Sequence, residues 1–282
     1  MSFQLAVNEH FPGALDQREY LSITSFALQR AGFTSDNTLV AVSRCRDEVA
    51  GTLTRQLEKV WGPVFELAGL SGMVSAGTSG LSAALAHRRQ QKDQSFFVVY
   101  AMSHVGIDED GTVGQLRRPE LDQPVPTCGS LTAAIASLGA ARRPGNKLDL
   151  FDAEQQRVVH RLVSMAGGVA LPHDLAWLSK LALRCIEDDI STIFDRLVGR
   201  KGRAPLGIDG ALFTGVQVHG RYDRTLIWPS VAEIDVDGNL TQVLDGERRS
   251  AGGPRRRPTN QDREPRARSA TWPPRRPRSA RR

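Results

Sequence analysis

Cysteine and long hydrophobic runs are both scarce in this 282-residue sequence, and each scarcity excludes a class of protein. Three cysteines, an odd number in a chain this long, argue against a disulfide scaffold. They favour free or metal-bound thiols in a reducing compartment, which we expect to be the cytoplasm. No run of about 18 apolar residues occurs, so no membrane-spanning helix is predicted. The first ten residues have neither a basic nor an apolar segment, so we expect no signal peptide.

The positive charge is concentrated at the C-terminal end of the chain. Residues 248–282 contain thirteen arginines, six prolines, two acidic residues and no lysine, a net charge of +11 against −5 for the rest. Such a segment cannot bury enough apolar surface to offset its chain entropy. We therefore predict a domain over residues 1–247 and a disordered basic tail over residues 248–282. The tail is either a solvated extension or an arm that binds nucleic acid.

Truncation after Glu247 tests this division. Because the tail has almost no core-forming side chains, the shortened chain should fold and keep its melting temperature and any activity. Thermal unfolding of both forms by circular dichroism measures this. A melting temperature several degrees lower after truncation would show that the tail contributes to the fold.

Two runs of β-prone residues predict strands at the centre of the fold. Residues 96–100 are too few and too apolar for a surface helix, so they indicate a strand buried on both faces. Residues 37–43 indicate a second buried strand. His104 follows the first strand and Cys45 follows the second. Because ligands bind at the carboxyl ends of strands in open α/β sheets, we expect both side chains in a functional site.

The other periodic segments complete an α/β pattern. Asp110 and Gly111, between apolar residues, predict a tight hairpin soon after His104. Helical periodicity predicts helices over 18–31, 48–61, 81–87, 131–138, 152–163 and 175–197, and strands are predicted over 213–219, 227–236 and 240–244. We therefore predict an α/β fold with a central, mostly parallel sheet flanked by helices.

Cys45, His104 and Cys128 each lie at a predicted strand end or helix start. Cys128 precedes a helix, whose dipole favours the thiolate, the form that binds metals. Two thiolates and an imidazole select Zn²⁺, and three dispersed ligands are typical of a catalytic site with an open fourth position. Asp47 adds a carboxylate beside Cys45. The alternative is that these cysteines, like Cys185 on a predicted helix, are small buried residues.

Six motifs occur in an order that resembles a known family. They are Phe11-Pro-Gly-Ala, Ser43-Arg-Cys-Arg-Asp-Glu, Gly69-Leu-Ser-Gly, His104-Val-Gly-Ile-Asp-Glu-Asp-Gly-Thr-Val-Gly, Cys128-Gly-Ser and Thr214-Gly-Val-Gln-Val-His. Together they resemble the limiting-CO2-inducible protein B family, which is similar to β-type carbonic anhydrases. The resemblance covers roughly residues 10–245, all of the chain except the tail.

The resemblance implies an activity, a cofactor and an assembly. The fold would be of the β-carbonic-anhydrase type, usually dimeric, with Zn²⁺ held at Cys45, His104 and Cys128. The reaction would be the reversible hydration of CO2 to bicarbonate by zinc-activated water. Asp47 matches an aspartate that pairs with an arginine, which keeps it off the metal. The small residues over 69–80 would line the CO2 pocket.

The sequence departs from the family pattern at that arginine. The family has an arginine six residues after the first cysteine ligand, where this chain has Gly51. We expect Arg46 to pair with Asp47 instead, with Arg55 as the alternative. If neither pairs with it, Asp47 could close the site, and the chain would be a catalytically silent zinc-binding relative that acts as a partner subunit.

Two further histidines are candidates for the site. His87 ends a predicted helix, where it could shuttle protons or simply interact with the helix dipole. His219 ends a predicted strand and matches the last family motif, so it is a candidate for lining the site.

Overall fold

The computed structural model describes residues 1–89, 94–118, 121–139, 149–167, 171–199 and 206–244. The predicted tail at 248–282 lies outside these residues. Its disorder, and the domain boundary after Glu247, therefore stay predictions.

In the described residues the chain forms α-helices, strands and two short 3₁₀-helices. The helices are α1 (Phe3–His10), α2 (Gln17–Arg30), α3 (Thr52–Trp61), α4 (Gly77–Ala86), α5 (Gly129–Gly139), α6 (Ala153–Met165) and α7 (Leu175–Val198). The strands are β1 (Leu15–Asp16), β2 (Thr38–Ser43), β3 (Phe65–Glu66), β4 (Phe96–Gly106), β5 (Gln115–Leu116), β6 (Val125–Pro126), β7 (Gly210–His219), β8 (Thr225–Val236) and β9 (Asn239–Gln242). The 3₁₀-helices are Glu48–Gly51 and Leu70–Gly72. None of these helices has both the length and the apolar character needed to cross a membrane.

Seven strands form one sheet in the order β1-β8-β7-β4-β2-β3, with β9 also paired to β8. The four strands β3, β2, β4 and β7 are parallel. Strand β8 runs antiparallel to β7, β1 and β9. The chain therefore has the predicted α/β fold, with a central, mostly parallel sheet and helices packed against it.

Successive side chains of strand β4 alternate between two hydrophobic clusters, one on each face of the sheet. All eleven of its residues are buried, because helices cover both faces of the sheet. Phe97 and Val99 pack with residues of α6 and α7 in one hydrophobic cluster. Val98 and Tyr100 pack with residues of α2 and α3 in a second cluster. The period of two in a strand places successive side chains in these two clusters.

Most of the predicted elements are confirmed with shifted bounds, but the two-residue strands β1, β3, β5 and β6 were not predicted. Strand β4 continues to Gly106, so His104 lies inside the strand, whose last residues pair with β7. The helix predicted over 48–61 begins with a 3₁₀ turn before α3. Helix α1 was not predicted; the Ser2 hydroxyl caps its N-terminus. The turn at Asp110–Gly111 is confirmed, since Gly111 has a φ of +86° and Ile107 pairs with Val113.

Candidate metal centre

Three elements of the fold bring Cys45, His104 and Cys128 together. Cys45 lies two residues beyond β2, and His104 lies on β4, the parallel neighbour of β2. Cys128 lies immediately before α5. The three residues are buried, and their ligand atoms all lie within 4.8 Å of one another. The three predicted ligand positions therefore form one candidate metal cluster.

Two glycines allow the segment that carries Cys128 to reach the end of β4. Gly106 donates a backbone hydrogen bond to Thr127 O at 3.0 Å, and Thr127 donates one to Gly114 O at 2.9 Å. A Cβ on Gly106 would lie only 2.9 Å from the Thr127 Cβ. Gly114 adopts a φ of +84°, which favours glycine. These contacts explain why glycines flank the hairpin motif that follows His104.

The geometry of the cluster fits a zinc ion. The Cys45 and Cys128 sulfurs are 3.7 Å apart. Two sulfurs that each lie about 2.3 Å from a tetrahedral zinc ion would be roughly 3.8 Å apart. Both ring nitrogens of His104 are buried and have no hydrogen-bond partner among the described residues. A buried imidazole without partners is costly, and a metal ion would satisfy one of these nitrogens.

The two thiols differ in their affinity for a proton. The hydrogen bond with Cys45, together with backbone N–H groups of Leu131 and Ser130 and the Ser71 hydroxyl, lowers the pKa of Cys128 to about 7 against the opposing effect of burial. The hydrogen bond with Cys128 and burial raise the pKa of Cys45 well above its ordinary value. Without metal, Cys45 therefore keeps its proton, and Cys128 loses its proton more readily than an ordinary cysteine. The start of helix α5 contributes to this difference, as the sequence predicted.

A turn between β3 and α4 presents Ser71 to the cluster. The Ser71 hydroxyl lies 3.7 Å from the Cys128 sulfur. Ser43 fixes the turn through a hydrogen bond to Gly72 O at 3.0 Å. Gly72 has a φ of +81°, and a Cβ there would lie 2.0 Å from the Met102 carbonyl oxygen. The turn can therefore pack this closely against β4 only with glycine at position 72.

Glu154, in the first turn of α6, holds this turn and the chain beside Cys45. Its Oε1 accepts hydrogen bonds from the backbone N–H of Leu70 at 2.9 Å and from the Ser75 hydroxyl. Its Oε2 pairs with Arg46 Nε at 3.4 Å. Glu154 thus links two of the segments that surround the metal cluster.

Glu154→Ala should weaken metal binding about tenfold, the lower end of the cost of losing an outer-shell partner. The Leu70 N–H would lose its acceptor, and Ser71 would no longer be held against Cys128. Competition with a chelator measures the affinity. Glu154→Gln keeps one oxygen acceptor and should have the smaller effect. Wild-type affinity in Glu154→Ala would contradict this positioning role.

The structure pairs Asp47 with Arg118, which corrects the expected pairing with Arg46 or Arg55. Arg118 Nη2 lies 3.3 Å from Asp47 Oδ1, and the Asp47 side chain is only 12% exposed. The same guanidinium also pairs with Glu48. Arg46 is 58% exposed and pairs with Glu154.

Asp47 is fixed from a second direction as well. Its Oδ1 accepts a hydrogen bond from Val49 N at 3.3 Å and caps the 3₁₀-helix. Arg118 lies two residues beyond β5, in the ribbon of β5 and β6 that leads to Cys128. Sequence reasoning missed it, because nothing but a pair of adjacent arginines marks the position.

His219 lies beside the cluster, whereas His87 and Cys185 do not belong to it. The rings of His219 and His104 meet edge to face with centroids 5.4 Å apart. Burial, the neighbouring His104 and Arg118 hold the pKa of His219 well below its ordinary value. His87 is exposed and contacts Ala83 O at 2.7 Å. Cys185 is buried on α7, where burial raises its pKa to about 12.

The fold and the cluster define an α/β protein with a candidate Cys-His-Cys metal centre, and comparison with known proteins gives its family. Residues 14–236 match the family described as limiting CO2-inducible proteins B/C, β carbonic anhydrases, and the chain belongs to that family.

Solved structures of relatives share the fold. The chain is similar to the crystal structure of PtLCIB4, a homolog of the limiting CO2-inducible protein LCIB, with 26% identity and a TM-score of 0.72 over 85% of this chain and 98% of that one. It is similar to LCIB itself, with 27% identity and a TM-score of 0.63 over 84% and 96% of the two chains. No curated protein matches the sequence.

Proposed function

We propose that this protein catalyses the reversible hydration of CO2 to bicarbonate, with zinc held by Cys45, His104 and Cys128. The observation that carries the proposal is the buried cluster, in which two sulfurs and an imidazole without partners lie within 4.8 Å of one another. Membership of a family described as β carbonic anhydrases supports the reaction. The soft donor set supports zinc.

The pair of Asp47 and Arg118 supplies the orientation that the reaction needs. When bound, zinc would supply water whose pKa is lowered to about 7. Arg118 neutralises Asp47 and competes with a metal ion for its carboxylate. Asp47, fixed by Arg118 and by Val49 N, can then accept a hydrogen bond from the reacting water and direct it toward CO2. The oriented carboxylate is the part of this site that a merely structural metal centre would not require.

Metal analysis and a CO2-hydration assay on the same sample test the proposal. We expect about one zinc ion per chain, bound by the three ligands, together with hydration activity. Zinc without hydration would contradict the proposal. That result would favour the second candidate, a silent relative that binds zinc and acts as a partner subunit. Gly51, at the family's arginine position, is the observation that favours this candidate.

The enzyme would act as a homodimer in the cytoplasm. Two-fold dimers are the commonest assembly of soluble proteins, and the family resemblance implies the same state. Light scattering at micromolar concentration should give twice the 30.9 kDa of one chain. A monomer mass at that concentration would contradict the dimer.

A further inference from the structure

Gln217 lies beside His104 in the sheet and is buried just as completely. The two residues are register partners on the parallel strands β4 and β7, so their side chains project from the same face of the sheet. Both are 0% exposed. Gln217 is therefore the β7 side chain that is paired in register with a candidate metal ligand.

Hydrogen bonds fix the direction in which the Gln217 amide points. Its Nε2 donates to the backbone carbonyl of Ala50 at 3.4 Å and to Gln17 Oε1 at 3.1 Å. A backbone carbonyl can only accept, so an amide turned over at this position would bring two oxygens together. Both N–H donors of Gln217 are thus used, and its Oε1 remains buried without a partner in the described part of the chain.

The amides behind Gln217 form a network that is otherwise complete. Gln17, the first residue of α2, donates to Thr52 Oγ1 and to Gln56 Oε1 on α3, each at 3.2 Å. Among the described residues, Gln217 Oε1 is the one buried amide atom of this network that lacks a partner. Buried polar atoms normally have partners, so this acceptor calls for a donor beside it.

His104 has the complementary deficit. One of its ring nitrogens lies within 4.8 Å of both cysteine sulfurs, where a metal ion would bind it. The other nitrogen then carries the proton of the neutral imidazole and requires an acceptor. It too is buried and has no hydrogen-bond partner within the described ranges. An unused donor and an unused acceptor therefore belong to two residues that are paired in the sheet.

We propose that Gln217 is the positioning residue of His104. Its Oε1 accepts the hydrogen bond of the ring N–H that does not bind the metal, after a small rotation of the ring or through one water molecule. This bond fixes the tautomer that presents the other nitrogen to the metal, as outer-shell partners of ligating histidines do. The bonds to Ala50 and Gln17 hold the acceptor in place. The proposal rests on the metal site of the proposed function and not on the hydration of CO2.

Chelator competition for zinc, with the full chain, tests the proposal. Gln217→Met keeps the length of the side chain but removes the amide, and should weaken zinc binding about tenfold or more. Gln17→Met is the matched control. It breaks the same network but leaves Gln217 Oε1 in place, held by the Ala50 carbonyl, and should bind zinc as the wild type does. Equal losses in the two variants would show that Gln217 acts only through packing and would overturn the proposal.

The ring of His104 gives a readout that a purely structural role of Gln217 would not move. In zinc-loaded protein labelled with ¹⁵N-histidine, NMR should show one metal-bound ring nitrogen and one N–H with the downfield proton shift of a hydrogen bond. This shift should be absent in Gln217→Met. Gln217→Glu keeps an oxygen acceptor and should regain both the shift and most of the zinc affinity.

The outcomes separate this role from the hydration activity. Wild-type zinc affinity in Gln217→Met would overturn the proposal even if the protein hydrates CO2. A loss in His219→Phe but not in Gln217→Met would assign the acceptor to His219 and overturn it as well. Zinc binding that depends on Gln217 in a protein without hydration activity would support the proposal and reject the proposed reaction. Should Gln217→Met fail to fold, a wild-type His104 N–H without the shift of a hydrogen bond would overturn it.

Discussion

Arg118→Ala should lower the rate of CO2 hydration by about 100-fold or more while the metal stays bound. The substitution removes the one cation that the structure pairs with Asp47 in the described part of the chain. Free of the guanidinium, the Asp47 carboxylate would be an unpaired anionic oxygen two residues from Cys45, one of the residues that would hold the metal. Coulomb attraction would then draw it toward the metal's open position. Stopped-flow hydration assays with metal analysis of the same sample would measure both effects.

Arg46→Ala and Arg55→Ala are the matched controls. Arg46 is mostly exposed and pairs with Glu154, so its loss should leave most of the activity. Arg55 is exposed on α3, and Asp47 pairs with Arg118 instead. Glu48→Ala should also change little, because an exposed partner of Arg118 contributes at most about 1 kcal/mol. Full activity in Arg118→Ala, or its loss only in Arg46→Ala, would reject the assignment of Arg118.

The candidate metal cluster could be predicted from the sequence because local signals place each of its three residues. Residues 37–43 and 96–100 are strongly β-prone, so the ends of these two strands were expected to place Cys45 and His104 in a functional site. Cys128 was expected at a helix start, which the structure confirms. The β-prone run did not predict the full length of β4. Its last residues are stabilised by pairing with β7, which is a distant part of the chain.

The partner of Asp47 could not be predicted in the same way. Arg118 is 71 residues from Asp47 and comes from a ribbon of two-residue strands, which are too short to show a period. The sequence pointed to arginines near Cys45 along the chain, and at the family's position this chain has Gly51. A Cβ on Gly51 would lie 3.1 Å from Arg55 Nη1 and 3.9 Å from the Arg44 guanidinium. These two guanidinium groups therefore lie beside position 51, yet in the described part of the chain Asp47 pairs with Arg118 and with neither of them.

The contacts of Glu154 could not be predicted from the sequence either. Periodicity predicted its helix, and α6 begins within a residue of the expected position. Which side chain of the first turn would reach Leu70 and Arg46 depends on how α6 packs against the sheet. Packing of this kind is set by tertiary contacts, which no local pattern in a single sequence reports.

Substitution of any one ligand should remove the metal. Cys45→Ser, His104→Ala and Cys128→Ser each leave two of the three donors. Metal affinity should therefore fall by more than the roughly 10–100-fold that loss of an outer-shell partner causes. Cys185→Ser is the matched control, because it removes a buried thiol whose sulfur contacts Arg161 O instead of the cluster. Metal content after gel filtration distinguishes the three ligand variants from this control. Equal metal loss in Cys185→Ser and Cys45→Ser would indicate general destabilisation in place of lost ligation.

Metal binding by the wild-type cluster should also release protons, and the number should depend on pH. The pKa of Cys45 is raised by its hydrogen bond with Cys128 and by burial, so the metal-free site keeps that proton throughout the neutral range. The pKa of Cys128 is lowered to about 7, so below neutrality this thiol is protonated too. Because the metal binds thiolates, protons compete with it, and affinity must fall as pH falls. The slope should be about tenfold per pH unit at pH 8 and rise toward about 100-fold per unit near pH 6. Chelator competition across this range measures the slope, and Cys185→Ser should reproduce it, whereas an affinity independent of pH would exclude ligation by both thiolates.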